Sequence, residues 1–419
     1  MQLHTKILLG LAIGASLGVA SNIFFTNAPE LIWIVDNVAN PVGQIFLRML
    51  FMIVVPLILS SVALGVASLG DLRRVGRIGG KSMGLFLLTT SIAAAIGLTL
   101  VNIVAPGESL DPVIQAQLME QYSGAAAERV GTGAVFGIQT FINIVPRNPI
   151  DSMARGDMIG LIFFSIIIGI ALTQIRPERA KPLLDVLESI VDVVTKIIGY
   201  AMKLAPYGVA GLIFAVTARF GGEVLQSLAQ YVGVVLLGLT IQLMLVTGVL
   251  AKVLAGVPYG QFFRKSKALM VTAFSTSSSN ATLPTNIRTA EEEFGVPKEI
   301  ASFVLPLGAT MNMNGTALFE GITVLFLAQV FGVDLSLTSQ IIVIVMSVIT
   351  AVGAAGVPGG SIPLLVLILE MVGVPGEGIA LILGVDRILD MSRTVPNVMG
   401  DLNTALIVTK SEGIPLRTT

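Results

Sequence analysis

The chain has no cysteine and a single histidine, His4, in 419 residues. Without thiols there are no disulfides, no thiolate metal sites and no cysteine nucleophile, although the compartment stays open on that ground. One histidine at the extreme terminus is a poor metal ligand or catalytic base. Charge is scarce as well. Asp, Glu, Lys and Arg make up 12% of the chain, about half their share in a typical soluble domain. A formal net charge of −1 gives no case for nucleic acid as a partner. With no nucleophile set beside a base and no cofactor motif, an enzyme is not expected.

What the chain has in abundance is apolar length. Hydrophobic residues are 54% of it, and apolar runs recur at roughly 6–25, 45–70, 81–105, 156–175, 190–218 and 228–256. Each is long enough to cross about 30 Å of hydrocarbon as a helix, and these lengths suit helices and not a barrel. The expected class is therefore an all-α polytopic protein of a cell (inner) membrane, with the lipid bilayer as its first partner. The first run lacks a small-residue cleavage site and more spans follow it, so it reads as a membrane helix and not a removable signal. Basic residues cluster at Arg73, Arg74, Arg77 and Lys81, at Arg176, Arg179 and Lys181, and at Arg264, Lys265 and Lys267. These mark cytoplasmic loops. Segments 26–40 and 106–130 hold acids with hardly any cations and read as external, which puts both termini in the cytoplasm.

Against that apolar background stands a stripe of polar and charged residues: Asp386, Asp390, Arg393, Asn397 and Asp401. The spacings of 4, 3, 4 and 4 put all five on one face of a helix. Ionisable groups in a bilayer are expensive and tend to face a protein interior or an aqueous cavity, so the stripe is a candidate site for a charged solute. The alternative is an ion-pair ladder among Asp386, Asp390 and Arg393 that only holds the helix to its neighbours.

Beyond about residue 260 the apolar pattern is broken twice by small and helix-breaking residues, at 275–284 and at 353–361. Each break has short apolar arms. Each is followed by a long apolar segment expected to be interrupted in turn, at Asn312–Thr316 and at Asp390–Asn397, which contains Pro396. The pattern is hairpin plus broken helix, repeated with inverted topology, the first hairpin entering from the cytoplasm and the second from outside. Inverted repeats of broken helices are how secondary transporters build a site at the membrane midplane. Free N–H groups at helix starts suit an anion and unwound carbonyls suit a hard cation, so an anionic solute moving with a cation is expected.

Thr276 to Pro284, Leu305 to Leu318, Ala355 to Gly359, and Leu389 through Asn397 to Asp401 closely resemble the dicarboxylate/amino acid:cation symporter family, which includes archaeal aspartate transporters and animal excitatory amino acid transporters. The resemblance covers nearly the whole chain. It implies a homotrimer whose protomers have eight transmembrane helices and two re-entrant helical hairpins, working as an elevator with the second hairpin as gate. Mapped here, 1–75 (helices 1 and 2) and 131–220 (helices 4 and 5) form the scaffold. The transport domain takes 76–130, with helix 3 and an external loop, and 221–419, with helix 6, the hairpins and helices 7 and 8.

Carried over by position, the resemblance implies that Arg393 pairs with the substrate's side-chain carboxylate and Asp390 accepts its ammonium. Thr394, Asn397, Ser279 and Thr316 make further substrate contacts, and Gly356 and Val357 lie in the gate. Gly308, Asn312, Asn397 and Asp401 match one sodium site, and Thr310 and Ala351 another. A third cation site departs from the family: Asn314 stands where an Asp is usual, and Leu87 replaces a Tyr ahead of Thr90 and Ser91. A neutral amide coordinates sodium without offsetting its charge, so sodium is expected at fewer sites. Glu320 matches an acidic position resembling a proton carrier, since a buried Glu can load and release a proton near neutral pH; a silent core role is the other reading. The expected function is symport of aspartate or glutamate driven by sodium, protons or both. The alternative is a neutral amino acid or a C4-dicarboxylate on the same scaffold with proton-only coupling.

Overall fold

A computed structural model describes residues 3–25, 28–123, 145–155, 158–353, 356 and 359–417. Within them every regular element is a helix. The N-terminal half comprises α1 (Leu3–Phe24), α2 (Pro29–Ile34), α3 (Asn40–Phe51), α4 (Val54–Val75), α5 (Arg77–Val104), α6 (Pro112–Ser123), α7 (Pro149–Arg155), α8 (Met158–Gln174) and α9 (Pro177–Phe220). A π-helical turn, Val35–Ala39, joins α2 to α3. The C-terminal half comprises α10 (Glu223–Ile241), α11 (Gly248–Val253), α12 (Tyr259–Lys265), α13 (Lys267–Thr276), α14 (Ser279–Arg288), α15 (Lys298–Met311), α16 (Asn314–Val330), α17 (Leu337–Gly353), α18 (Ile362–Met371) and α19 (Leu383–Ser411).

Among the described residues six helical stretches are long and apolar enough to cross a membrane: Thr5–Phe24, Pro29–Ala67, Arg77–Ser109, Pro177–Phe220, Glu223–Val253 and Lys298–Val330. The second starts well before the apolar run at 45 because Asn37 and Asn40, polar in sequence, still continue the helix. The run at 156–175 contributes only the shorter Gly160–Gln174.

The helices pack in two groups. α9 is the spine of the first and is covered by α1, α3 and α4, with α8 against α4. The fit of α1 on α9 rests on Gly10, Gly14 and Gly18. A Cβ at Gly10 would lie 2.3 Å from the Pro206 carbonyl oxygen, and one at Gly14 2.4 Å from that of Ala210. Small residues four apart let two backbones touch, the usual solution where lipid provides no hydrophobic drive between helices. About 100° round α1 from the glycines, Leu9, Ile13 and Leu17 are exposed. In the second group α16 packs on α5, α17 and α19, while α19 also packs on α13 and α15. The groups touch most where α17 meets α4 and α19 meets α1, and also where α4 meets α5 and α9 meets α19.

Within the second group α13 packs on α14, and α17 packs on α18. The first pair turns at Ser277, which adopts a left-handed φ of 52°, an uncommon conformation for a residue other than glycine. The expected interruption between α15 and α16 is present: Asn312 (φ −113°, ψ 77°) and Met313 (φ −104°, ψ 57°) leave helical geometry. The one expected at Pro396 is not. α19 runs unbroken through it, although an interior proline removes a backbone bond at a cost of about 3 kcal/mol. The start of α16 presses on this turn from outside. Gly315 brings it so close that a Cβ there would sit 2.3 Å from the Arg393 carbonyl oxygen and 2.9 Å from Pro396 Cγ.

At one end of this group Glu412, just past α19, accepts hydrogen bonds from Lys81 Nζ at 2.8 Å and from Arg77, tying α19 to the start of α5. Those bonds hold its carboxyl below the ordinary range. A depressed folded pKa stabilises fully above the ordinary glutamate value, and the contribution is lost as pH falls through the folded value. Glu412→Gln is thus expected to lower the melting temperature by roughly a degree or two at about pH 7 and to match wild type in acid. Thermal melts in detergent at both pH values check this; an equal deficit at both would remove the ion pairs as its cause.

Candidate functional site

The polar stripe is buried, and its five members lie along α19. Arg393 is the hub. Its Nη2 and Nε donate to Asp390 Oδ1 at 2.8 and 3.1 Å, its Nη1 donates to Asp386 Oδ1 at 3.3 Å, and its guanidinium lies 4.2 Å from the centre of the Phe319 ring. Asp390 Oδ2 accepts from the Gly359 N–H at 3.1 Å and from Arg387 at 3.4 Å. Two guanidinium groups thus face two carboxylates, and the ladder foreseen as an alternative is present as geometry. It also borders open space. A tight cleft is lined by Asp390, Arg393, Thr394 and Asn397 from α19, Thr316 from α16, Ser279 from the start of α14, and Gly356. Val357 lies outside the described residues.

The first hairpin presents its tip to this cavity. Ser278 caps α14 by accepting from Ala281 N at 3.1 Å, and its hydroxyl donates to the Gly356 carbonyl at 2.6 Å. The Asn280 N–H reaches the same carbonyl at 3.3 Å. Ser278 and Asn280 therefore meet Gly356 at one oxygen. Ser277, Met313 and Ser361 also line the cavity and were not singled out from sequence. Met313 looked like filler, and Ser361 was only the last residue of a small-residue run.

Beside the cavity, Asn312 Nδ2 donates to Asp401 Oδ1 at 2.8 Å, and a Cβ on Gly308 would lie 2.6 Å from that same oxygen. Asn312 Oδ1 is buried with no hydrogen-bond partner. An orphaned amide oxygen beside a buried carboxylate is a donor set for a hard cation. Asn397 turns its side chain another way: Oδ1 accepts from Gly315 N at 2.7 Å and Nδ2 donates to Thr316 at 3.3 Å. Thr310 is exposed and its hydroxyl donates to the Leu307 carbonyl at 2.9 Å, whereas Ala351 is buried on the neighbouring α17. The Ala309 carbonyl faces Gly356, where a Cβ would be 2.9 Å away.

Of the four residues assigned to the altered third site, two come together. Asn314 Oδ1 accepts from Thr90 at 2.8 Å and from Thr89 at 3.3 Å. Leu87 is exposed, and the Ser91 hydroxyl bonds back to the Leu87 carbonyl on that outer side of α5. Thr89 joins Thr90 at Asn314, and buried Gln242 stands behind it, its Nε2 approaching the Thr89 carbonyl at 3.5 Å. Glu320 is fully buried four residues beyond Thr316; Oε2 accepts from the Thr350 hydroxyl of α17 at 2.8 Å, and Oε1 has no hydrogen-bond partner.

A membrane-type helical bundle with charged groups around an internal cavity is the architecture of a solute carrier. The chain belongs to the sodium:dicarboxylate symporter family, which matches residues 3–411. It is 37% identical over 413 residues to a proton/sodium-glutamate symport protein of Geobacillus stearothermophilus, covering 98% of this chain and 94% of the relative. It is 36% identical over 413 residues to a proton/glutamate-aspartate symporter of Escherichia coli (strain K12), covering 98% and 93%. A C4-dicarboxylate transport protein of Bacillus subtilis (strain 168) is 32% identical over 415 residues, covering 98% and 93%. The family is one of symporters and not of enzymes.

Proposed function

We propose that this protein imports an acidic amino acid, aspartate or glutamate, together with sodium, protons or both. The observation that carries the reading is the pairing of Arg393 with Asp390 on the wall of one small cavity. A zwitterion with an acidic side chain answers both charges, since its carboxylate takes the fork of Arg393 and its ammonium takes Asp390. A plain C4-dicarboxylate leaves Asp390 unanswered, and a neutral amino acid leaves Arg393 with no substrate charge to meet. Thr394, Asn397, Ser279 and Thr316 complete the substrate contacts, with Gly356 and Val357 in the gate.

Sodium is held by Asp401 and Asn312 with the backbone beside Gly308 and Asn397, and a second ion by backbone oxygens near Thr310 and Ala351. The orphaned Asn312 Oδ1 supports the first assignment. Asn314, with Thr89 and Thr90, forms a neutral remnant of a third site. Glu320 carries the proton. Residues 76–130 and 221–419 move as the transport domain against a scaffold of 1–75 and 131–220, within a homotrimer, both termini lying in the cytoplasm of a cell (inner) membrane. The separate packing of α9 with α1, α3 and α4, and of α16 with α5 and α19, supports that division.

The test is uptake of labelled aspartate and glutamate into liposomes under a sodium gradient alone and a proton gradient alone. Accumulation is expected under at least one, with succinate and alanine failing to compete. Competition by succinate at equal strength would overturn the zwitterion reading.

A further inference from the structure

We propose that an anionic phospholipid binds beside the first hairpin, its headgroup on Arg264 and Lys267 and one acyl chain along Ala268, Val271 and Phe274. The proposal rests on the chain's being a membrane protein and not on the substrate reading. An open cleft of about 1210 Å³ is lined here by Arg264, Lys265, Lys267, Ala268 and Val271, with Glu293 as an acid in its wall. Lys265 sits at the back, where Nζ donates to the Glu293 and Arg417 carbonyls at 3.1 and 3.0 Å and is held in place. Arg264 and Lys267 are exposed and engage no carboxylate among the described residues.

The depth of the cleft follows from the chain on either side. The span Glu223–Val253 ends with Val249, Val253 and Leu254 exposed, as on a lipid-facing helix. Tyr259 and Phe263 come next, in contact at 5.0 Å between ring centres, with the Tyr259 hydroxyl on the Met244 carbonyl. Such aromatic rings sit at headgroup level. The cations follow within one or two turns, where anionic headgroups are found.

α13 then leads back along an exposed face. Lys267, Ala268, Val271 and Phe274 are spaced by one, three and three residues on one side of the helix, with Val271 58% and Phe274 41% exposed. The order along this face is cationic and then apolar, which is the order of head and tail in a phospholipid. A soluble anion would use the cations and leave the apolar stripe uncovered.

Native mass spectrometry of the delipidated, detergent-purified protein, titrated with phosphatidylglycerol or phosphatidylcholine, tests this. The wild type is expected to retain phosphatidylglycerol at concentrations where phosphatidylcholine is lost. The double substitution Arg264→Gln/Lys267→Gln is expected to weaken that retention by roughly ten- to thirtyfold, about the effect of two membrane-facing charges. Val271→Ser, which leaves the charges intact, is expected to weaken it by a smaller factor. Equal retention by the double variant would overturn the proposal. Displacement of the lipid by glycerol 3-phosphate at equal concentration would also overturn it, because the site would then be one for soluble anions.

Discussion

Replacing Arg393 by lysine is expected to weaken aspartate binding by on the order of 30- to 1,000-fold, the loss of one or two charge-assisted hydrogen bonds at about 2 kcal/mol each. An ammonium keeps the charge but cannot present two parallel N–H groups to a carboxylate. Lysine is the informative choice because Arg393 also faces Asp386 and Asp390 in a buried setting. Alanine would take from Asp386 its ion pair and leave Asp390 to Arg387 and the Gly359 N–H, and breaking a buried pair costs about 3–5 kcal/mol of stability, so lost binding would not be separable from lost folding. Calorimetric titration of Arg393→Lys with aspartate, beside a melt of the substrate-free protein, is the measurement. Wild-type affinity would mean that the guanidinium serves only the ladder along α19.

The second large effect is expected at Glu320. Glutamine is nearly isosteric, and its amide oxygen can still accept from the Thr350 hydroxyl, so Glu320→Gln removes the ionisable group and little else. Proton-driven uptake in sodium-free liposomes is expected to fall by at least about tenfold, as follows when an obligatory intramembrane proton carrier is lost. Aspartate affinity at fixed pH is expected to stay within about twofold, since Glu320 does not line the cavity. Proton-driven uptake at the wild-type rate would return Glu320 to a purely structural place between α16 and α17.

The stripe could be read from sequence because a helix turns every 3.6 residues, and spacing alone put Asp386, Asp390, Arg393, Asn397 and Asp401 on one buried face. The break at Asn312 and Met313 could be read as well, from a polar cluster with Gly315 inside an apolar stretch. Pro396 could not. Whether a proline breaks a helix depends on what presses on it, and Gly315 lies 81 positions earlier in the chain. The third-site residues were misplaced for a simpler reason. Leu87 and Ser91 are four apart and share one face of α5, while Thr90 lies about 100° round from Ser91, so the three do not all face Asn314. Gln242 and Ser361 reach their positions only through tertiary packing, which no local pattern encodes.

The glycines of α1 have a mechanical consequence. Because Gly10 and Gly14 let backbone rest on backbone, with Gly18 seated against the Thr217 hydroxyl, no side chain of α1 stands between α1 and α9 at these three positions to deform. A shift of one residue along the axis would drive a larger side chain into a carbonyl, so the pair is locked in register and resists sliding. Relative movement between the two groups of helices then falls outside this pair, at the contacts where a helix of one group meets a helix of the other, among them α17 with α4 and α19 with α1.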